Sequence, residues 1–278
     1  MITDKDLSKK VINDFGEEWK TFDQSNIDTK ELEKLFNNYF HIFPKNELNE
    51  NAIGFDLGCG SGRWAKFIAP RVKTLNCIDP STLAIQVARK NLMDFKNVKF
   101  FNSKISENIL EENSQDFGYC LGVLHHTDEV LEGLKFSNKI LKKNAPYLIY
   151  LYYNFDNRNL IYKSIWKISN LLRLFISNTP FKIKKLLTDI IALTIYYPLA
   201  RFSLMLNFLG LNTDNIPLSF YKNESLYTMR TDSLDRFGTK LEKRFSKKEI
   251  SKLLYSSGFK EVKFSEIMPF WVAICKKK

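Results

Sequence analysis

Between Asp56 and Gly62 the chain reads DLGCGSG, three glycines at alternate positions directly behind an acid, and Asp79 closes the next apolar run, TLNCID. Glycine admits positive φ and lets another group approach the backbone closely. Such a turn after the first strand of an open α/β sheet lies at the carboxyl edge, where ligands bind. The spacing G-x-G-x-G departs from the dinucleotide pattern G-x-G-x-x-G, and no P-loop G-K-[ST] occurs. The turn is tighter and lacks a phosphate signature. Asp79, about twenty residues after the first glycine, can accept both ribose hydroxyls of a nucleoside. Asp56 can accept from an ammonium group, directly or through water. Two such acids without a phosphate site suit an amino acid joined to a nucleoside.

S-adenosylmethionine meets that description. Its methyl group leaves a sulfonium by in-line displacement, so a protein has mainly to align the partners and exclude water. A hydroxyl acceptor also needs somewhere for its proton to go, whereas a neutral amine does not. His125 and His126, in LGVLHHTDE, follow the fourth apolar run, and an imidazole can take that proton. Packing or helix capping is the competing role for either. After the fifth run, YLYYNFDNR places Tyr152, Tyr153, Asn154, Asp156 and Arg158 at the same sheet edge. Hydroxyls, amide, acid and guanidinium there suit a polar small molecule. Tyr227, Arg230, Asp232, Asp235, Arg236 and Arg244, in YTMRTDSLDRFGTKLEKRF, offer a third cluster: an ion-pair network anchoring a lid, or, through Arg230 or Arg236, an anchor for an anionic group. Trp19, on an aromatic face of the first helix with Phe15 and Phe22, joins the acceptor-binding candidates. The histidine pair lacks a third ligand at sensible spacing, so no metal is expected.

The elements that must position these groups alternate. AIGFDL, TLNCID, NVKFFN, FGYCLGVL and YLIYLYY read as buried strands, and Gly62–Ala69, Pro80–Asn91 and Asp128–Lys142 as intervening helices. That pattern is a doubly wound parallel sheet. Residues 1–50 read as a helical cap and 51–153 as the cofactor-binding core. Residues 154–245 form a helical insert between strand five and the last helix. Residues 246–278 complete the sheet with a helix, opened by a Ser246/Glu249 capping box, and a strand pair.

The chain resembles the class I methyltransferases that use S-adenosylmethionine: DLGCGSG resembles their glycine motif and NCIDPS their second-strand acidic motif. The resemblance covers most of 52–153 and 246–278. It implies a seven-stranded, mostly parallel sheet in the order 3-2-1-4-5-7-6 with the last strand antiparallel. It also implies S-adenosyl-L-methionine as cofactor, with Gly58, Cys59, Gly60 and Gly62 along its methionyl part. Asp79 would hold the ribose, with Pro80 and Ser81 flanking the adenosine. Ser103, Lys104 and Ile105 would lie by the adenine, and Gly122 and Val123 beside the methyl group. No acid occupies the usual adenine position, so a backbone contact from Lys104 or Ile105 is expected instead.

With 278 residues, 44% hydrophobic, the chain can bury a substantial core, and its +11 net charge sits in the second half. That charge permits an anionic substrate, nucleic acid or membrane surface. GVLHH differs from the Asn/Asp-Pro-Pro-Tyr motif of enzymes that methylate base amines, so no nucleic-acid substrate is expected. Four cysteines without a CxxC and a charged N-terminus without an apolar stretch point to a cytoplasmic protein. The insert is basic and apolar over 160–210, which suits a helical lid first, with membrane-surface contact or a homodimer as alternatives. Pro198 and Arg201 speak against a membrane-spanning helix. The reading is methyl transfer to a hydroxyl or amine of a polar small molecule. A lipid or lipid-linked acceptor is the alternative, and a non-catalytic nucleoside-binding protein is a lesser one.

Overall fold

A computed structural model describes residues 4–104 and 109–278, the first four of them as backbone only. The chain forms two compact units. One comprises Met1–Ser25, Leu32–Asn154 and Leu241–Lys278, the other Asn26–Glu31 and Phe155–Lys240.

Seven strands make the sheet of the first unit: β1 Ile53–Leu57, β2 Thr74–Asp79, β3 Val98–Asn102, β4 Phe117–Leu121, β5 Pro146–Tyr150, β6 Phe259–Phe264 and β7 Val272–Lys277. Their order is β3-β2-β1-β4-β5-β7-β6. The first five pair in parallel, and β7 runs antiparallel to β5 and β6. The doubly wound sheet read from the sequence is thus the one formed. The apolar runs β1, β2, β4 and β5 are buried along nearly their whole length, as parallel strands covered on both faces must be. The β1/β4 register pairs Gly54 with Phe117 and Phe55 with Gly118. A Cβ on either glycine would lie 2.2 Å from the opposing ring. Each phenylalanine therefore fills the space its partner strand leaves, and a register slip would drive ring into ring.

The helices of this unit are α1 Asp4–Thr21, α2 Thr29–Phe40 from Leu32 onward, α3 Ala65–Ile68, α4 Thr82–Asn91, α5 Val130–Ile140 and α10 Lys247–Ser256. Leu32, Leu35, Phe36 and Phe40, at helical spacing, are the buried face of α2. The Ser246/Glu249 capping box is formed in full. Three elements are shorter than the apolar pattern suggests. Only Ala65–Ile68 is α-helical after the glycine run, because Gly62 stays in the turn with φ +76° and its amide on the Cys59 carbonyl, 2.8 Å away. β4 stops at Leu121 because Gly122 takes φ +79°, and Leu124–His126 coil into a 3₁₀ turn. β5 stops at Tyr150, and beyond it Tyr153 bridges Phe245 in parallel.

The second unit holds α6 Leu160–Ile176, α7 Phe181–Ile191, α8 Tyr197–Phe208 and α9 Leu226–Gly238. Ile176, Ile191, Tyr196, Ala200, Met229 and Phe237 form its core. Glu31, from the first turn of α2, accepts from the Ser225 amide and the Thr228 hydroxyl at the start of α9. Pro198 does not break the apolar run. A π-helical turn at Ala192–Tyr196 carries α7 into α8, and the proline sits in the first turn of α8, where its missing N–H is tolerated.

Candidate functional site

β1 ends in Asp56 and Leu57, and the chain then doubles back beside the end of β2. The amides of Gly58 and Cys59 both donate to the Ile78 carbonyl, at 2.7 and 3.1 Å. The Gly60 amide donates to Asp79 Oδ2 at 3.0 Å, and the Ser81 amide to Asp79 Oδ1 at 2.8 Å. The second-strand acid thus faces the carboxyl rim and ties the glycine turn to the N-cap of α4. Gly58, Gly60 and Gly62 all have positive φ, +76°, +53° and +76°.

The chain itself leaves no room for side chains at these three positions. A Cβ on Gly58 would lie 2.4 Å from Val123 Cγ2, one on Gly60 2.7 Å from the Trp19 indole, and one on Gly62 2.7 Å from Leu92 Cδ1. The chain's own side chains fill these directions, and the left-handed backbone supplies the rest of the requirement for glycine. Open space lies instead at Gly122, with φ +79° and nothing within 4 Å of where its Cβ would be.

Helix α1 roofs this edge of the sheet. Its Gly16 packs where a Cβ would stand 2.5 Å from Ser81 Oγ, its Trp19 covers Gly60, and its Phe15 ring lies 4.9 Å from that of His126. Arg63 lies over the rings of both Trp19 and Trp64, at 5.1 and 4.4 Å.

The two acids sit in a low-dielectric setting. Burial pushes Asp56 up to about 8, with Asp79 raising it further and the Tyr119 hydroxyl and Arg63 opposing. Burial pushes Asp79 up to about 6 against its two backbone hydrogen bonds. Asp56 Oδ2 is buried and has no hydrogen-bond partner. An unmatched buried oxygen wants a donor, and an ammonium group or its bridging water supplies one. Each Asp79 oxygen keeps a lone pair beyond those taken by the amides, so ribose hydroxyls can still donate to it. The residues present therefore fit S-adenosylmethionine. Pro80 and Ser81 open α4 beside Asp79. Ser103 is buried, with its amide on the Asp79 carbonyl at 3.2 Å, and Lys104 is exposed. Ile105 lies outside the described residues.

His125 and His126 follow β4 on the 3₁₀ turn, both buried. The His125 ring stacks on Tyr152 at 3.8 Å, neither ring nitrogen has a hydrogen-bond partner, and burial with His126 and Arg244 nearby holds it well below the usual histidine range. It is therefore a neutral imidazole. His126 Nδ1 lies 2.8 Å from the Leu241 carbonyl. A carbonyl only accepts, so Nδ1 carries a proton, which in the neutral imidazole leaves the lone pair on Nε2.

Segment 241–245, the end of the third sequence cluster, holds this corner. The Lys243 amide donates to the His125 carbonyl and the Phe245 amide to the Tyr152 carbonyl, at 2.9 and 2.8 Å. Arg244 lies 5.0 Å over the Tyr152 ring, reaches the Tyr153 carbonyl at 3.1 Å and pairs with the buried Glu242 at 2.7 Å. Tyr153 packs on Phe270, and Asn154 is exposed, its amide on the Phe245 carbonyl.

The other acceptor candidates fall in the second unit. Asp156 is exposed. Arg158 donates to the Asp214 carbonyl and to Asn215. Arg230 grips Asp189 with both arms of its fork, each at 2.9 Å, holding that carboxyl below its ordinary range. Arg236 lies over Trp166 and Phe237, and Tyr227 is half-buried on α9. Among the described residues no group of three or more His, Cys, Asp or Glu is placed to hold a metal ion.

Comparison with known proteins bears on the fold. Residues 55–144 match the family profile described as a methyltransferase domain. A Methanocaldococcus jannaschii protein assigned as a cobalt-precorrin-6B C(15)-methyltransferase (decarboxylating) is 29% identical over 153 residues, 51% of this chain and 82% of that protein. A Bacillus halodurans C-125 structure described as a methyltransferase is 14% identical with a TM-score of 0.50, covering 84% of this chain and 70% of that one. A Galdieria sulphuraria structure described as a sarcosine dimethylglycine methyltransferase is 20% identical with a TM-score of 0.37. That match covers 42% of this chain and 43% of the other, so the chain spans less than half the length of that relative.

Proposed function

We propose that this chain, a class I S-adenosylmethionine-dependent methyltransferase, delivers the methyl group to a hydroxyl of a polar acceptor. The bound cofactor supplies an activated methyl on a sulfonium. The chain's own residues do the remaining work. Asp79 and the glycine turn hold the nucleoside, Asp56 receives the ammonium, and α1 with Trp19 keeps water from the edge of the sheet. The acceptor comes to the open space at Gly122.

The observation that carries the choice of a hydroxyl is the His126–Leu241 hydrogen bond. It puts a proton on Nδ1, so the neutral imidazole offers its lone pair at Nε2, as a proton acceptor must. An amine arriving neutral needs no such group. His125 and Tyr152 form the stacked wall beside it. Arg244 and Glu242 hold that wall in place.

One observation favours a second acceptor class. Apolar side chains stand exposed along α6, α7 and α8, which suits an acceptor carried on lipid. Incubating the enzyme with methyl-labelled cofactor and whole-cell extract, then partitioning between water and organic solvent, separates the two. Label in water-soluble O-methyl products supports the first reading. Label confined to the organic phase identifies the second, and N-methyl products formed at full rate by His126→Gln would remove the base.

A further inference from the structure

Helix α6 contains no acid, and from Asn157 to Thr213 the only acidic side chain is Asp189, against eight basic ones. Asp189 is already engaged by Arg230 and by Lys185, 2.7 Å away. Along α6, Ile161, Ile165, Ile168, Leu172 and Phe175 recur at four- and three-residue steps, so they form one stripe down the helix. All five are exposed, Ile161 and Ile168 by 73% and 70%. Lys163 and Lys167 flank the stripe.

The same chemistry continues in α7 and α8. Ile183, Leu186, Met205 and Phe208 are exposed, Phe208 by 81%. By length and composition Phe181–Phe208 could cross a membrane, at a mean hydropathy of 1.3 with 28% of its apolar window buried. Its other side forbids crossing. Lys184, Thr188 and Ser203 are buried, the Thr188 carbonyl accepts from Ser233, and Arg201 donates to the Lys222 and Glu224 carbonyls. Crossing would place those polar groups in hydrocarbon and break the hydrogen bonds of Arg201 and the Thr188 carbonyl. An apolar stripe with a basic border and a polar opposite side is the pattern of a helix lying in an interface.

We propose that α6 docks the second unit on an anionic membrane surface, with the Ile161–Phe175 stripe at the acyl boundary and Lys163, Lys167 and Lys182 among the headgroups. Charge decides against a second copy of the chain. A two-fold contact sets the same surface against itself. It would oppose lysine to lysine with no free carboxylate between Asn157 and Thr213 to compensate. Anionic headgroups supply that compensation. The docking stands whichever acceptor the enzyme uses.

The test is flotation of the full-length protein with vesicles of phosphatidylcholine alone or with 30% phosphatidylglycerol. The docking predicts that most of the protein floats with the anionic vesicles and little with the neutral ones, with the anionic fraction falling as salt rises. Ile168→Glu/Phe175→Glu, at exposed positions, should cut the floated fraction at least fivefold while S-adenosylmethionine binding, titrated on the same sample, stays within twofold. Failure of the wild type to float on anionic vesicles overturns the docking, as does flotation unchanged by the double substitution. A stable dimer that the double substitution dissociates, without flotation, also overturns it and gives the stripe to a second copy. Loss of cofactor binding in the wild type would count against the enzymatic reading alone.

Discussion

Asp79 accepts a hydrogen bond from the backbone amide of Gly60 across 3.0 Å, joining the end of β2 to the turn that follows β1. The two sequence motifs that suggest a nucleoside site are thus one structure, held by a single carboxylate that also caps the entry to α4 through the Ser81 amide. Replacing that carboxylate by an amide sets an NH₂ group against at least one backbone donor. Asp79→Asn should lower stability by about 1–3 kcal/mol. It should also weaken S-adenosylmethionine at least tenfold, about 1.4 kcal/mol. Thermal unfolding and calorimetry read the two effects separately.

The buried acids set a pH dependence for the ligand-free protein. Asp56 and Asp79 titrate near 8 and 6 in the folded chain, against an ordinary value of 3.8. Between these values the folded state keeps protons that the unfolded chain has lost, so stability falls as pH rises. The Asp79 share of that decline is complete just above pH 6 and the Asp56 share just above pH 8. Asp189 and Asp23, whose carboxyls are held below the ordinary value, act in the opposite sense and only below about pH 4. Denaturant titrations from pH 5 to 8.5 should show the decline, and Asp56→Asn should flatten its upper half. A cofactor whose ammonium needs Asp56 ionised should bind more tightly at pH 8.5 than at pH 6.

The glycines should not respond alike. Gly58→Ala adds a methyl against Val123 on top of a strained φ, which should cost about 2–4 kcal/mol. Gly122→Ala meets only the strain, about 1–2 kcal/mol, because its neighbourhood is open. If the acceptor approaches there, Gly122→Ala should nevertheless reduce turnover at least tenfold with the cofactor affinity little changed. Equal thermal losses at the two positions would show that crowding at Gly58 contributes nothing.

The histidines divide by role. His126→Gln should lower kcat by about a hundredfold, within the range of a single proton acceptor, and leave the cofactor affinity within threefold. His125→Phe keeps an aromatic face for Tyr152 and should retain most of the activity. The reverse ranking would transfer the proton to His125. A solvent deuterium isotope effect on kcat that disappears in His126→Gln would separate proton transfer from packing.

The alternation of apolar runs made the sheet legible, and the glycine run with Asp79 made its ligand-binding edge legible, because both depend on short local patterns. The reason for the glycines was not legible, since Val123, Trp19 and Leu92 reach them from elements far along the chain. Arg244 is visible as a basic residue, but its place over Tyr152 depends on segment 241–245 returning to the sheet after some ninety residues of insert. Pro198 sits within a continuing helical run because a π-helical turn precedes it, and no residue pattern marks that turn. Arg230 shows the converse, an arginine suited to a substrate but engaged by Asp189, forty-one residues earlier.

Calorimetric titration of S-adenosylmethionine into the wild-type and Asp79→Asn proteins at pH 8 decides whether this carboxylate holds the cofactor. The wild type should bind one cofactor per chain and the variant should bind it at least tenfold more weakly, with both proteins folded. Binding of equal strength in the two, or none in the folded wild type at millimolar cofactor, would contradict it.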